Sequence, residues 1–175
     1  MDGQYQSDDA RRIDDHQELE QYEKSFIGIY SHTLDSKGRM VVPQAFREEL
    51  GKKFYIAPST DFSYVALYPS VAWAKVRHRL DMLGSLNSQL NRFLNQFDAM
   101  SFRNQECDAQ GRLLLPPKVR EDLLNNEKEL EITGANDHVR VIALSRANEA
   151  KQNFRNSLPD ILKVIEELER AQAGR

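Results

Sequence analysis

Two stretches of the chain carry the same charged residues at the same spacing: LDSKGRMVVPQAFREEL at 34–50 and CDAQGRLLLPPKVREDL at 107–123. In the first, Asp35 can accept hydrogen bonds from backbone N–H groups of the turn, and Gly38 can take a positive φ that a side chain opposes. Lys37 and Arg39 flank that glycine, so a rigid turn presents cations outward. Arginine offers a planar fork able to bridge phosphate oxygens or the O6 and N7 edge of guanine. Asp108, Gly111 and Arg112 repeat the set, with Gln110 where Lys37 stands in the first. A plainer reading stands beside this one: the aspartate caps the turn, the arginine pairs with it, and neither meets a ligand.

The coincidence extends beyond the turns. At an offset of 73 residues Asp35, Gly38, Arg39, Pro43, Arg47, Glu48 and Leu50 meet Asp108, Gly111, Arg112, Pro116, Arg120, Glu121 and Leu123, which marks an internal repeat. Each copy reads as strand, tight turn, strand, short helix and two further strands. FIGIYSHTL (26–34) enters the first turn, MVVP leaves it, QAFREEL makes about two helical turns, and KKFYIAPS and SYVALYP are β-rich. SFRNQECD, RLLLP, PKVREDLL, ELEITGA and HVRVIAL repeat the order, with Asn136-Asp137 marking a hairpin turn. Pro43 and Pro116 suit the first turn of each short helix, where a missing N–H loses nothing.

Five segments follow: an acidic, disordered tail at 1–24, a first repeat at 25–72, a helical insert at 73–100, a second repeat at 101–146 and a C-terminal helical segment at 147–175. In the insert, Trp73, Val76, Leu80 and Leu83 form one apolar stripe and Leu86, Leu90, Phe93, Phe97 and Met100 another, with Gly84 and Ser85 separating two helices. Near the C-terminus, Ser157 and Asp160 have capping-box spacing, and Leu158, Ile161, Ile165 and Leu168 make an apolar face that calls for a packing partner.

Net charge is −3 over 175 residues, but residues 1–24 hold eight acids against three bases and leave the remainder at +2, 21 basic against 19 acidic. A body so near neutrality binds a polyanion only where its cations are concentrated. The single cysteine, Cys107, excludes an intrachain disulfide and reads as a small buried apolar side chain. No run is apolar enough to span a bilayer, and the expected location is the cytoplasm. P-loop, HExxH, GxSxG and GxGxxG patterns are absent, His16, His32, His78 and His138 are scattered, and Glu48-Glu49 point in different directions on a short helix. Catalysis is not expected, nor a metal, a cofactor or a small-molecule substrate. His32 lies near the first turn, yet its counterpart is Gln105, so a surface or hydrogen-bonding role fits it better than that of a base.

A repeat of about 45 residues is too small to bury a core alone. Two of them interleaving strands would close one barrel-like α+β core about an approximate two-fold axis, doing within one chain what a homodimer does with two.

FIGIYSHTLDSKGRMVVPQAFREEL and CDAQGRLLLPPKVREDL resemble the two repeats of the bacterial MraZ family, and the likeness covers roughly residues 25–146. The resemblance implies a tandem AbrB-like swapped-hairpin barrel and assembly into ring-shaped homo-oligomers. It further implies nucleoid association and regulation of transcription, usually repression, upstream of the division and cell wall gene cluster. The binding sites it implies are short G-rich direct repeats about one helical turn apart. Carried over by position, Arg39 and Arg112 contact DNA, Asp35 and Asp108 hold the loops, Gly38 and Gly111 shape them, and Lys37 adds a phosphate or base contact. The alternative is a protein-interaction module, antitoxin-like, using the same fold to hold another protein through its C-terminal segment.

Overall fold

In a computed structural model that describes residues 25–84 and 87–173, the repeats exchange strands. The first comprises β1 (Ile29–Thr33), β2 (Arg39–Val41), α1 (Gln44–Leu50), β3 (Phe54–Pro58) and β4 (Val65–Pro69). The second comprises β5 (Phe102–Gln105), β6 (Arg112–Leu114), α4 (Pro117–Leu124), β7 (Glu129–Gly134) and β8 (Val139–Ala143). Between them lie α2 (Ser70–Gly84) and α3 (Ser88–Ala99), and α5 (Leu144–Ala173) follows. The six-stranded sheet has the order β1-β7-β8-β4-β3-β5, which reads the same from either end once β1 is equated with β5, β7 with β3 and β8 with β4. The first strand of each repeat therefore pairs with the third strand of the other.

A second sheet of two strands, β2 and β6, lies on the same pseudo-two-fold axis. Its central pair is Met40 opposite Leu113, the two residues that the 73-residue offset makes equivalent. Both point inward, at 0% and 1% exposure, into a core that draws on both repeats, with Phe46, Ile56, Leu67, Val119, Leu130 and Val141 among its members. Neither repeat could keep this apolar surface from water without the other. The interleaved α+β core read from the repeat, and the swapped-hairpin architecture that the resemblance implies, are what the chain adopts.

Local boundaries follow from backbone chemistry. Asn136 takes φ +65° in the turn between β7 and β8, as an Asn can. Pro43 and Pro116 stand one residue before the short helices rather than inside them, with ψ 141° and 139°. Their carbonyls accept from the N–H groups of Arg47 and Arg120. The residue in the first turn of α4 is Pro117. In the insert, Trp73 stacks on Tyr55 and Phe97 (centroids 4.9 and 5.9 Å), while Asn87 Oδ1 caps α3 by accepting from Gln89 N–H at 2.7 Å. Helix α2 includes Gly84; Ser85 and Leu86, like the tail at 1–24, lie outside the described residues.

Ser157 and Asp160 do not start a helix. Helix α5 begins at Leu144 and runs through Pro159, and Ser157 Oγ donates back to the carbonyls of Asn153 and Phe154 instead. The earlier start has an anchor. Ser145 Oγ donates to Glu127, Arg146 reaches the carbonyls of Ser63 and Leu123, and Lys151 pairs with the buried Glu131, so the first two turns are fixed to the barrel. Beyond Lys151, Leu158 alone is even partly buried among the described residues.

Candidate functional site

Each repeated turn is a closed hydrogen-bonded unit. Asp35 Oδ1 accepts from the backbone N–H groups of Lys37 and Arg39, both at 2.9 Å, and Oδ2 accepts from Arg39 Nε at 2.7 Å. Gly38 N–H donates to the Asp35 carbonyl at 3.0 Å, with φ +77° at the glycine. The second turn repeats every bond: Asp108 Oδ1 accepts from Gln110 N–H and Arg112 N–H, Oδ2 accepts from Arg112 Nε at 2.7 Å, and Gly111 has φ +75°. The Arg39 backbone N–H, ahead of its guanidinium, holds the Asp35 carboxyl at about 2, well below its usual 3.8. The matching bonds from Arg112 lower Asp108.

The capping and the aspartate–arginine pairing of the plainer reading are thus present in both turns. They leave part of each guanidinium over. Binding the aspartate through Nε turns the terminal nitrogens away from it. Among the described residues those of Arg39 carry no hydrogen bond, whereas Arg112 Nη2 donates to Gln110 Oε1 at 3.0 Å. Lys37 and Gln110 are both exposed, and each arginine is about one-third exposed or less.

The repeats also clamp each other's turns. Val42 N–H donates to the Gly111 carbonyl and Leu115 N–H to that of Gly38. The guanidinium of Arg120 lies over Gly38 and that of Arg47 over Gly111, so a Cβ on either glycine would overlap the other repeat's arginine. Arg120 Nε donates to the Leu115 carbonyl at 3.2 Å, while Arg47 Nε is buried without a partner among the described residues. The matched positions Arg47 and Arg120 were visible in the repeat, but their task was not, because it exists only across the two-fold axis.

Strand register sets where the two arginines stand. Arg39 pairs with Leu114 and Val41 with Arg112, so all four alternate with the inward Met40 and Leu113 and share the outer face of the ribbon. The two arginines occupy a diagonal, about 7–8 Å apart at Cα. Exposed Val41 and Leu114 fill the other diagonal, a placement that pairing, not sequence spacing, reveals. His32 adds a fixing point on one side only: its Nε2 accepts the Val41 N–H at 2.9 Å, whereas Gln105 donates to the Arg103 carbonyl. Cys107 is half-buried against the core, and burial pushes its thiol up. No group of three or more His, Cys, Asp or Glu able to hold a metal occurs among the described residues.

Residues 25–96 match the family model described as "MraZ protein, putative antitoxin-like". The chain is 36% identical over 124 residues to a transcriptional regulator MraZ of Moorella thermoacetica, spanning 71% of this chain and 85% of that protein. It is 34% identical over 116 residues to one from Finegoldia magna, and 29% identical over 143 residues to one from Syntrophomonas wolfei, of which it covers 98%. All three are named as regulators, none as an enzyme. Sharing sequence with them along 79% to 98% of their length, this chain belongs to the MraZ family.

Proposed function

We propose that the chain is a sequence-specific DNA-binding transcriptional regulator, a repressor of the division and cell wall gene cluster, that engages repeated promoter boxes as a ring-like homo-oligomer. The observation that carries this reading is the pair of aspartate-held arginines on one exposed ribbon face. Held through Nε, Arg39 keeps the end of its fork for an outside acceptor, the geometry suited to guanine O6 and N7 or to a phosphate, whereas Arg112 shares one terminal nitrogen with Gln110. Lys37 supplies a neighbouring phosphate contact, Asp35 and Asp108 hold the loops, and Gly38 and Gly111 give them their shape. One ribbon offers few contacts, so tight binding draws on several copies acting on repeated boxes. The work belongs in the cytoplasm, at the nucleoid, and no described helix is long and apolar enough to cross a membrane.

The test is a fluorescence-anisotropy titration on the chain's own upstream region at a fixed salt concentration. Arg39→Ala should weaken binding by about 1–3 kcal/mol, roughly 5- to 150-fold, and relax preference at one base position. Arg39→Ala binding as tightly as wild type would overturn the first-loop assignment. The antitoxin-like wording of the family description favours a second reading, in which α5 holds another protein. Co-purification of a stoichiometric partner, together with no affinity for the promoter, would select it.

A further inference from the structure

The outer part of α5 carries an apolar surface that the rest of the described chain leaves uncovered. Phe154, Ile161, Leu162, Val164, Ile165 and Leu168 are between 39% and 60% exposed. With Leu158 they have a regular order: 154, 158, 161, 165 and 168 are spaced 4, 3, 4 and 3, the a/d repeat of a coiled coil. Leu158 and Ile165 take a, and Phe154, Ile161 and Leu168 take d. The opposite side is charged, with Lys163–Asp160 and Arg170–Glu166 ion pairs at 3.1 and 3.4 Å. Pro159 lies inside the helix at b, so it is not itself a member of the a/d seam, though its missing N–H removes one helical hydrogen bond.

We propose that α5 docks against α5 of a second copy of this chain as an antiparallel coiled coil. The flanking residues choose this occupant and its direction. In a parallel pair each g residue meets the e residue five positions on, which would set Val164 against Glu169 and leave that carboxylate facing a methyl pair. Running antiparallel, with Leu158 opposite the partner copy's Leu168 and Ile161 opposite its Ile165, e faces e and g faces g. Leu162 then meets Leu162, Val164 meets Val164, and Arg155 at one end meets Glu169 at the other, twice over. Apolar flanks meet at the centre and opposite charges at the ends. The contact is isologous, so it closes on itself and doubles whatever assembly the barrels form. It is distinct from the ring of the proposed function and does not depend on it.

Three chains made in a Cys107→Ala background test the geometry: Leu158→Cys, Leu168→Cys and the double variant. In the antiparallel pair two copies of residue 158 lie about 15 Å apart along the axis, from the rise of about 1.5 Å per residue, beyond disulfide reach. The double variant should therefore oxidise to a covalent dimer while each single variant stays uncrosslinked. Single variants that crosslink as readily as the double would show a parallel pair and overturn the proposal. Light scattering gives an independent reading: Ile161→Asp with Ile165→Asp should halve the mass per particle without changing the barrel's circular dichroism. Unchanged mass, or a seam that becomes thiol-reactive at Leu162→Cys only after residues 1–24 are removed, would assign the surface to another occupant and sink the idea.

Discussion

Gly38 and Gly111 show how much one missing side chain settles. Each must hold a positive φ and also lie beneath an arginine from the opposite repeat, two demands that only glycine meets together. A Cβ at Gly38 would stand 2.6 Å from Arg120 Cζ. Gly38→Ala should cost about 1–2 kcal/mol from the backbone alone, plus the displacement of Arg120. Urea denaturation of Gly38→Ala, Arg120→Ala and the double variant checks the source. If the clamp is real, the double variant loses less than the two singles together, because removing the guanidinium removes the overlap. Strict additivity would mean that strain in φ is the whole effect.

The aspartates carry a pH signature at the same scale. The Asp35 carboxyl is held at about 2 in the fold against an ordinary 3.8. A depressed carboxylate binds fewer protons folded than unfolded, so its stabilisation is fully present above about pH 4 and drains away as pH falls toward 2. Asp35→Asn should accordingly lose stability at neutral pH and show a shallower acid limb between about pH 4 and 2 than wild type. Trp73, the sole tryptophan, reports unfolding in both. Parallel acid limbs would mean that Asp35 is not held by the turn in solution.

At the scale of elements, the succession of strands along the chain and the turn positions were legible because period-two alternation and turn chemistry are local. The duplication itself then implied that the repeats interleave strands, since neither has a core of its own, while the exchange of β1 and β5 in particular is visible only in the pairing. What escaped reading required partners far off in sequence. Arg47 and Arg120 act on glycines of the other copy, and Val41 and Leu114 fill the diagonal that crosses the arginines' only through pairing. The start of α5 was misplaced for the same reason: Glu127, Ser63 and Glu131 fix its first turns from the barrel, and a cap-like Ser157 cannot outweigh them. The insert obeyed its stripes where they reach the sheet. Phe97 is fully buried against Trp73, so Phe97→Ala should cost about 3–5 kcal/mol and shift Trp73 emission to longer wavelength. A stable variant with unshifted emission would show that α3 does not hold the tryptophan against Tyr55.

For the whole molecule the decisive quantity is where charge lies, since a net charge of −3 belongs to no obvious polyanion binder. Residues 1–24 supply −5 of it, so deleting them turns the chain from −3 to +2 without touching a residue of the ribbon face. In the proposed assembly, like charge repeated on each copy would oppose the approach of DNA over a distance set by the Debye length, about 10 Å at 0.1 M salt and shorter above it. The deletion should therefore raise promoter affinity several-fold at about 50 mM salt, chiefly through faster association, and the gain should fade as salt rises towards about 0.5 M. A gain that persists at high salt would mean that the segment occupies the binding face directly, since screening leaves a steric block in place. Equal affinity at low salt would place the tail's charge outside the reach of the bound duplex, and the arginine pair would then act in the nearly neutral field of the barrel alone.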